Sequence, residues 1–344
     1  MKRYFLFIVF VLSLCSFQQV QKKLFCVPKD WPIPKYDFSK NELTPAKLLL
    51  GRVLFYDPIL SSNNEISCAS CHSQYTAFTH VDHQLSHGVF DSIGTRNSPA
   101  LMNLAWQSSF MWDGAIRNLD MQSLAPISHE DEMGSSIAEV VIKLNASLLY
   151  PSLFYNAFGD SLATGEHTLK ALSQFMLSLI SANSKYDQVK RGEASFTEQE
   201  VNGFELFLAN CNSCHLAPLF STFDFANNGL PLNPELNDLG RMGITNESYD
   251  SLQFKIPSLR NVEFSFPYMH DGRFPTIAAV LNHYTDGVLE SATLAHSLEN
   301  RIVLSSNEKV DLISFLLCLT DKEFLFNKDF SYPRDILLNQ TKDN

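Results

Sequence analysis

Beyond residue 14 the 344-residue chain has no apolar run long enough to cross a bilayer, which predicts a soluble mature protein. Basic charge is also scarce: 26 Lys and Arg stand against 37 Asp and Glu, for a net charge of −11. Such a surface repels phosphates and disfavours nucleic acid as a partner, while leaving a small neutral substrate such as a peroxide open. Alternating strand patterns are lacking, which argues against a sheet-based fold. At 45% hydrophobic and 18% charged the chain is globular rather than disordered, and its length allows two ordinary domains.

The apolar run that does exist is at the start. Lys2 and Arg3 precede Tyr4–Leu14, which is unbroken save for Ser13. Its length is that of a signal-peptide core rather than a span, so residues 1–20 read as an export signal leading to the periplasm. Cys15 follows Leu14, where a lipid-attachment site normally has a small residue, and lipid anchoring there is the less favoured reading.

What is present is helical punctuation. Thr44-Pro45 is a cap followed by proline, leading into Leu48, Leu49, Val53 and Leu54. Ser136 precedes Ile137, Val140, Val141, Leu144 and Leu148 at helical spacing, and Leu169, Leu172, Phe175, Met176, Leu179 and Ile180 form another stripe. Thr197 with Glu200, and Ser305 with Glu308, make capping boxes. Gly51-Arg52-Val53-Leu54-Phe55 is echoed by Gly203-Phe204-Glu205-Leu206-Phe207, each a few residues after a capping Thr. The expectation is a mainly α chain of two related halves, 36–192 and 193–330, with 57–67 and 217–260 as loops that wrap a large ligand.

Seven cysteines are present. Four fall in two Cys-x-x-Cys-His units, Cys68-Ala69-Ser70-Cys71-His72 and Cys211-Asn212-Ser213-Cys214-His215, one per half. A thioredoxin-like pair would need a strand–helix setting that is missing. A zinc site would use both pairs jointly, yet each pair carries its own His at the same offset. The unit attaches a c-type haem, with the thiols adding to the vinyl groups and the His placed to bind iron. Two cytochrome c-like domains, each with one covalent haem, are therefore expected. Cys26 and Cys318 either pair in an oxidising compartment or stay as separate thiols.

Several stretches around and between these units add a more specific signal: Ile66–His72, Arg96-Asn97-Ser98-Pro99, Met111-Trp112-Asp113-Gly114, Glu132-Met133-Gly134, Phe254–Asn261 and Pro267-Tyr268-Met269-His270-Asp271-Gly272. In order and spacing, from about Gly51 to about Thr320, the chain resembles the bacterial di-haem cytochrome c peroxidases, including the MauG-like enzymes that oxidise partner proteins. The resemblance implies that peroxide reacts at the N-terminal haem, on His72, and that the C-terminal haem, on His215, supplies an electron. It places Gln122, Pro126 and Glu132 in the distal pocket of the first haem, with Glu132 as proton shuttle and Gln122 orienting the peroxide. Trp112 would lie between the haems as an electron relay, and Asn97 with the carbonyls of Ser265 and Pro267 would hold a calcium ion.

One departure stands out. Where the classical peroxidases have a methionine ligand to the second haem, this chain has Tyr284, as the MauG-like branch does, with His283 beside it as a rival. A phenolate ligand stabilises ferric iron and lowers the potential. Of His80, His83 and His87, only His87 falls near the place of a distal ligand to the first haem, and its offset to Asn97 is not the classical one. It is read as a surface histidine, which leaves the first haem five-coordinate. The function implied is reduction of hydrogen peroxide to water with electrons from a small cytochrome c or cupredoxin. Oxidation of a partner protein is the alternative, and a non-catalytic di-haem electron carrier the reading from another class. A homodimer is among the assemblies the resemblance admits.

Overall fold

The computed structural model describes residues 24–340; the export segment and Cys15 lie outside them. The fold is mainly α. Four helices frame it: α1 (Pro45–Tyr56), α2 (Gly165–Ser178), α3 (Glu198–Asn210) and α4 (Ser306–Leu317). Each starts where a side chain can satisfy the first free N–H groups. Thr44 accepts from Lys47 N–H ahead of Pro45, and Thr164 accepts from His167 N–H. Thr197–Glu200 and Ser305–Glu308 close reciprocal capping boxes. A fifth helix, Ile137–Ala146, opens on a Ser136–Glu139 box. The stripe read through Leu148 stops two residues short of it, and Leu148 is 93% exposed.

The echo between Gly51–Phe55 and Gly203–Phe207 has a physical cause. α1 crosses α2, and α3 crosses α4, with backbones in contact at the glycine. A Cβ on Gly51 would sit 1.9 Å from the Ala171 carbonyl oxygen; one on Gly203 would sit 2.0 Å from that of Asp311. Behind each crossing lies a buried phenylalanine triad. Phe55, Phe78 and Phe175 have ring centroids 5.1–6.3 Å apart. Phe207, Phe220 and Phe315 repeat this at 5.1–6.3 Å. The same helix pair is thus built twice, each time around three buried aromatic rings.

The two apolar cores do not follow the chain in one cut. Tyr186, ahead of the expected boundary at 192/193, packs with Phe220 and Phe315 in the second core. Phe324, Leu325, Phe330 and Leu337 return to the first. Arg260, fully buried, is held by both carboxylate oxygens of Asp187 at 2.7–2.8 Å, with Trp31 of the N-terminal segment over its guanidinium at 4.7 Å. The segment 217–260 is irregular apart from short turns and the antiparallel pair β1 (Phe225–Ala226) and β2 (Phe254–Lys255). Cys26 is exposed and Cys318 buried; both are free thiols. No single helix among the described residues is long and apolar enough to cross a membrane.

Gly51→Ala and Gly203→Ala should each destabilise the holoprotein by about 1–3 kcal/mol, the range for overpacking. Gly243→Ala, with open space around the added methyl, should stay within about 0.5 kcal/mol. Urea midpoints followed by circular dichroism check this; equal midpoints for all three variants would contradict the close-crossing account.

Candidate functional site

Both Cys-x-x-Cys-His units open onto one cavity of about 570 Å³, the size of an organic cofactor site rather than of a water pocket. The first unit forms a single helical turn, Cys68–Cys71, tightened by Ser67 N–H donating to the Ser70 hydroxyl. His72 follows and its Nδ1 donates to the Phe78 carbonyl at 2.8 Å. In the second unit His215 Nδ1 reaches the carbonyls of Phe220 at 3.3 Å and Pro257 at 3.2 Å. Burial lowers both rings to about 4, so they are neutral. With the proton fixed on Nδ1 by a carbonyl, Nε2 keeps its lone pair, the form in which histidine binds a metal.

The thiols point the same way. Burial pushes Cys68 and Cys211 up to about 12 and Cys71 to about 11, unlike the low-pKa thiolate of a reactive redox pair. Cys71, Cys211 and Cys214 border the cavity, with Cys68 on the same turn as Cys71. Two neutral imidazoles, two thiol pairs and a large cavity between them fit two thioether-linked haems.

Gln122, Pro126 and Glu132 line the same cavity as His72. Gln122 ends the short helix Leu119–Gln122, and Pro126 lies in Leu124–Ser128. Glu132 sits in a tight turn: its N–H donates to the His129 carbonyl, and its own carbonyl accepts from Val89 N–H at 2.7 Å. Burial raises its carboxyl above the usual range; Asp131 adds to this and His129 opposes it. The Gln122 amide nitrogen lies 3.6 Å from Met111 Sδ. His129 and Met111 border the same cavity and were not singled out from sequence, where His129 looks like part of a solvated polar run.

Between the two units Trp112 borders the cavity, its indole N–H donating to the Asn97 carbonyl at 2.8 Å. Asn97 is buried, and its side-chain amide donates to the Gln84 carbonyl at 2.9 Å, which leaves Oδ1 as its free oxygen. Ser265 and Pro267 border the cavity too. Among the described residues no group of three or more His, Cys, Asp or Glu could hold a metal ion, so a cation here would depend on neutral oxygens.

On the side of the second unit, the helix Ile277–Asn282 widens into a π-turn over His283–Gly287. That turn separates the two rival ligands. Tyr284 borders the cavity, whereas the buried His283 is not among its lining residues and has its Nε2 3.0 Å from the Asn228 carbonyl. Burial pushes the Tyr284 phenol up to about 12; a hydrogen bond with the Asn228 side chain opposes this, and Cys211 and Cys214 nearby add to it. Met269 also borders the cavity, its sulfur accepting from the Asn228 amide at 3.3 Å. Met242, His80, His83 and His87 are not among the lining residues. His87 is half-buried, stacks on His83 at 4.1 Å and pairs with Asp91 at 3.0 Å.

A family model described as di-haem cytochrome c peroxidase matches residues 45–195. The methylamine utilization protein MauG of Methylorubrum extorquens is 36% identical over 307 residues, covering 86% of this chain and 83% of that protein. The cytochrome c551 peroxidase of Nitrosomonas europaea is 30% identical, covering 83% and 81%. The crystal structure of a MauG-like protein associated with microbial copper homeostasis superposes with a TM-score of 0.83 at 32% identity, covering 89% of this chain and 98% of the other.

Purified holoprotein should give two covalent haems per chain by pyridine haemochrome assay, and the double variant Cys211→Ser/Cys214→Ser should give one. A wild-type stoichiometry of one would mean that the second unit does not carry haem.

Proposed function

The chain belongs to the di-haem cytochrome c peroxidase family, whose members are oxidoreductases, and from that premise we propose that it reduces hydrogen peroxide to water at the His72 site. Electrons come from an external donor, a small cytochrome c or cupredoxin, and pass through the His215 site and Trp112. The observation that carries this reading is the half-buried carboxyl of Glu132, its pKa raised by desolvation, lining the same cavity as His72 and Gln122.

A haem held at His72 would supply the iron at which the peroxide O–O bond is broken, and one at His215 a second redox centre. The protein's part is proton handling. Glu132 accepts the proton from the near peroxide oxygen and returns it to the far one, which leaves as water. Its raised pKa makes it a stronger base toward the peroxide proton than an ordinary carboxylate, and the proton it takes is the one it returns. The Gln122 amide orients the peroxide. Overall, two electrons and two protons convert one peroxide into two waters. An electron carrier without catalysis would have no use for a desolvated carboxyl lining this cavity. Asn97 Oδ1 and the carbonyls of Ser265 and Pro267 would be the oxygen donors for a calcium ion. Thioether attachment is in keeping with a periplasmic setting.

Tyr284 supports a second reading, oxidation of a partner protein in the MauG manner, from the same first site. A phenol oxygen as ligand to the second haem lowers its potential and makes that haem a poor acceptor of single electrons from a donor.

Glu132→Gln should keep both haem spectra and lose peroxide turnover by about 10²–10⁴-fold, the usual worth of general acid–base catalysis. An unchanged rate would remove the proton shuttle from this wall. Since Glu132 must be ionised to accept the first proton and its pKa is raised, turnover should fall on the acid side at a higher pH than an ordinary carboxylate gives. A stopped-flow pH profile, with that limb absent in Glu132→Gln, checks the sign.

Tyr284→Met should raise the second haem's potential by more than about 100 mV, where about 59 mV is a tenfold change for one electron. Unchanged potential and spectra in Tyr284→Phe would make Tyr284 packing only and withdraw the second reading.

A further inference from the structure

The carbonyls that hold the two histidines are themselves fastened, and by the same device in both halves. Phe78 is followed by Thr79, whose buried hydroxyl donates to the Ser98 carbonyl. Phe220 is followed by Ser221, whose buried hydroxyl donates to the Ile256 carbonyl at 2.6 Å. Each acceptor precedes a proline, Pro99 or Pro257, and the carbonyl of that proline also faces its histidine. Two residues further on, Leu101 N–H donates to the Phe78 carbonyl at 3.3 Å and Leu259 N–H to the Phe220 carbonyl at 3.1 Å. Each histidine Nδ1 thus sits between carbonyls on two segments, and a hydroxyl ties those segments together.

The repeat continues to the helix crossings. Pro99-Ala100-Leu101-Met102-Asn103 and Pro257-Ser258-Leu259-Arg260-Asn261 share one pattern, and both asparagines are buried with a left-handed backbone, at φ 54° and 56°. Asn103 N–H donates to the Leu179 carbonyl just past α2, and its Oδ1 accepts from Ser181 N–H at 3.0 Å. Asn261 N–H donates to the Leu319 carbonyl just past α4, and its Oδ1 accepts from Asp321 N–H at 2.7 Å. The proline segment is thereby anchored to one helix of each pair, and the hydroxyl links it to the phenylalanine segment. The second site has a further link, from the Ser258 hydroxyl to the Leu219 carbonyl at 2.6 Å, where the first has Ala100. In part these hydroxyls satisfy carbonyls that would otherwise be buried unpaired. Their placement does more, because the segments they join are the ones that flank an imidazole.

We propose that Thr79 and Ser221 are positioning residues that set the reduction potentials of the two haem sites, each by fixing the two carbonyls that flank its histidine. This rests on the reading of His72 and His215 as iron ligands. A firm Nδ1–H bond to a carbonyl leaves more electron density on Nε2 and makes the imidazole a more basic ligand. Second-shell hydrogen bonding of this kind favours ferric over ferrous iron and so lowers the potential. With the hydroxyl gone the two segments part, the Nδ1–H bond lengthens, and the potential rises. The effect is local to each half, because each hydroxyl bonds within its own pair of segments.

The test is an EPR-monitored redox titration of the two-haem protein, which reads the ferric signal of each haem separately. Thr79→Val and Thr79→Ala, which remove the hydroxyl with and without keeping its volume, should favour reduction of the haem at His72 about tenfold, a rise of about 59 mV. Thr79→Ser, which keeps the hydroxyl, should match wild type. The haem at His215 should be unmoved by all three. Its own potential should rise by a similar amount in Ser221→Ala/Ser258→Ala, where the further link is removed as well, and the haem at His72 should not follow. Unmoved potentials in the variants without the hydroxyl would overturn the proposal. So would a Thr79→Ser variant displaced as far as Thr79→Val, or equal shifts of both haems from a change at one site. Should Thr79→Val and Thr79→Ala fail to fold, the double serine variant decides by the same criterion at the other haem. His72→Gly is the separate control: an unchanged ferric signal of the first haem would overturn the ligand reading itself, whatever the Thr79 variants do.

Discussion

Each histidine of the two Cys-x-x-Cys-His units commits one ring nitrogen to a main-chain carbonyl, His72 to Phe78 and His215 to Phe220 and Pro257. That bond fixes the tautomer and leaves the other nitrogen as a ligand, so the carbonyl must stand in a defined place. The side chains of Phe78 and Phe220 secure it, because each ring is the third member of a buried triad wedged behind a helix crossing. The crossing in turn closes only because Gly51 and Gly203 have no Cβ. Ligand geometry, aromatic core and helix contact form one dependency, and the chain contains it twice.

This dependency explains what could be read in advance. Helix starts were legible at Thr44, Ser136, Thr197 and Ser305 because capping is decided within about four residues. The two Cys-x-x-Cys-His units were legible for the same reason, as local units with their own chemistry. The repeated Gly-x-x-x-Phe was visible as a pattern, but its meaning required the partner helices, more than a hundred residues away in each case. Glu132 and Gln122 were reached through resemblance; nothing in Glu130-Asp131-Glu132 alone distinguishes the acid that turns into the cavity from its neighbours. His283 and Tyr284 show the limit most clearly. They are adjacent, both are chemically able to bind iron, and of the two Tyr284 borders the cavity, a difference of a fraction of a helical turn that side-chain identity does not encode.

The halves share apolar packing, through Phe324, Leu325, Phe330 and Leu337 in the first core, and are also joined by charge. Arg96 bridges Asp113 of the first half to Asp238 of the second, and Arg260 of the second half lies under Trp31 of the N-terminal segment. Pairs of this kind add little net stability over well-packed apolar residues, but breaking one strands an uncompensated charge at a cost of about 3–5 kcal/mol. They therefore tolerate few alternative arrangements. That is a useful property where two redox centres must keep a fixed separation.

Trp112 lies where those constraints converge. Its indole is tied to Asn97, whose own main-chain N–H donates to the His270 carbonyl at 2.7 Å; its carbonyl is tied to Lys255; its neighbour Asp113 is tied to Arg96 and, through its carbonyl, to Arg241. A side chain that only filled space between two cofactors would not need its N–H, its carbonyl and its neighbour each held by a different segment. For the relay role proposed above that holding matters, because a small displacement of the ring would change its coupling to both sites. The same contacts that hold the halves in register thus also hold Trp112.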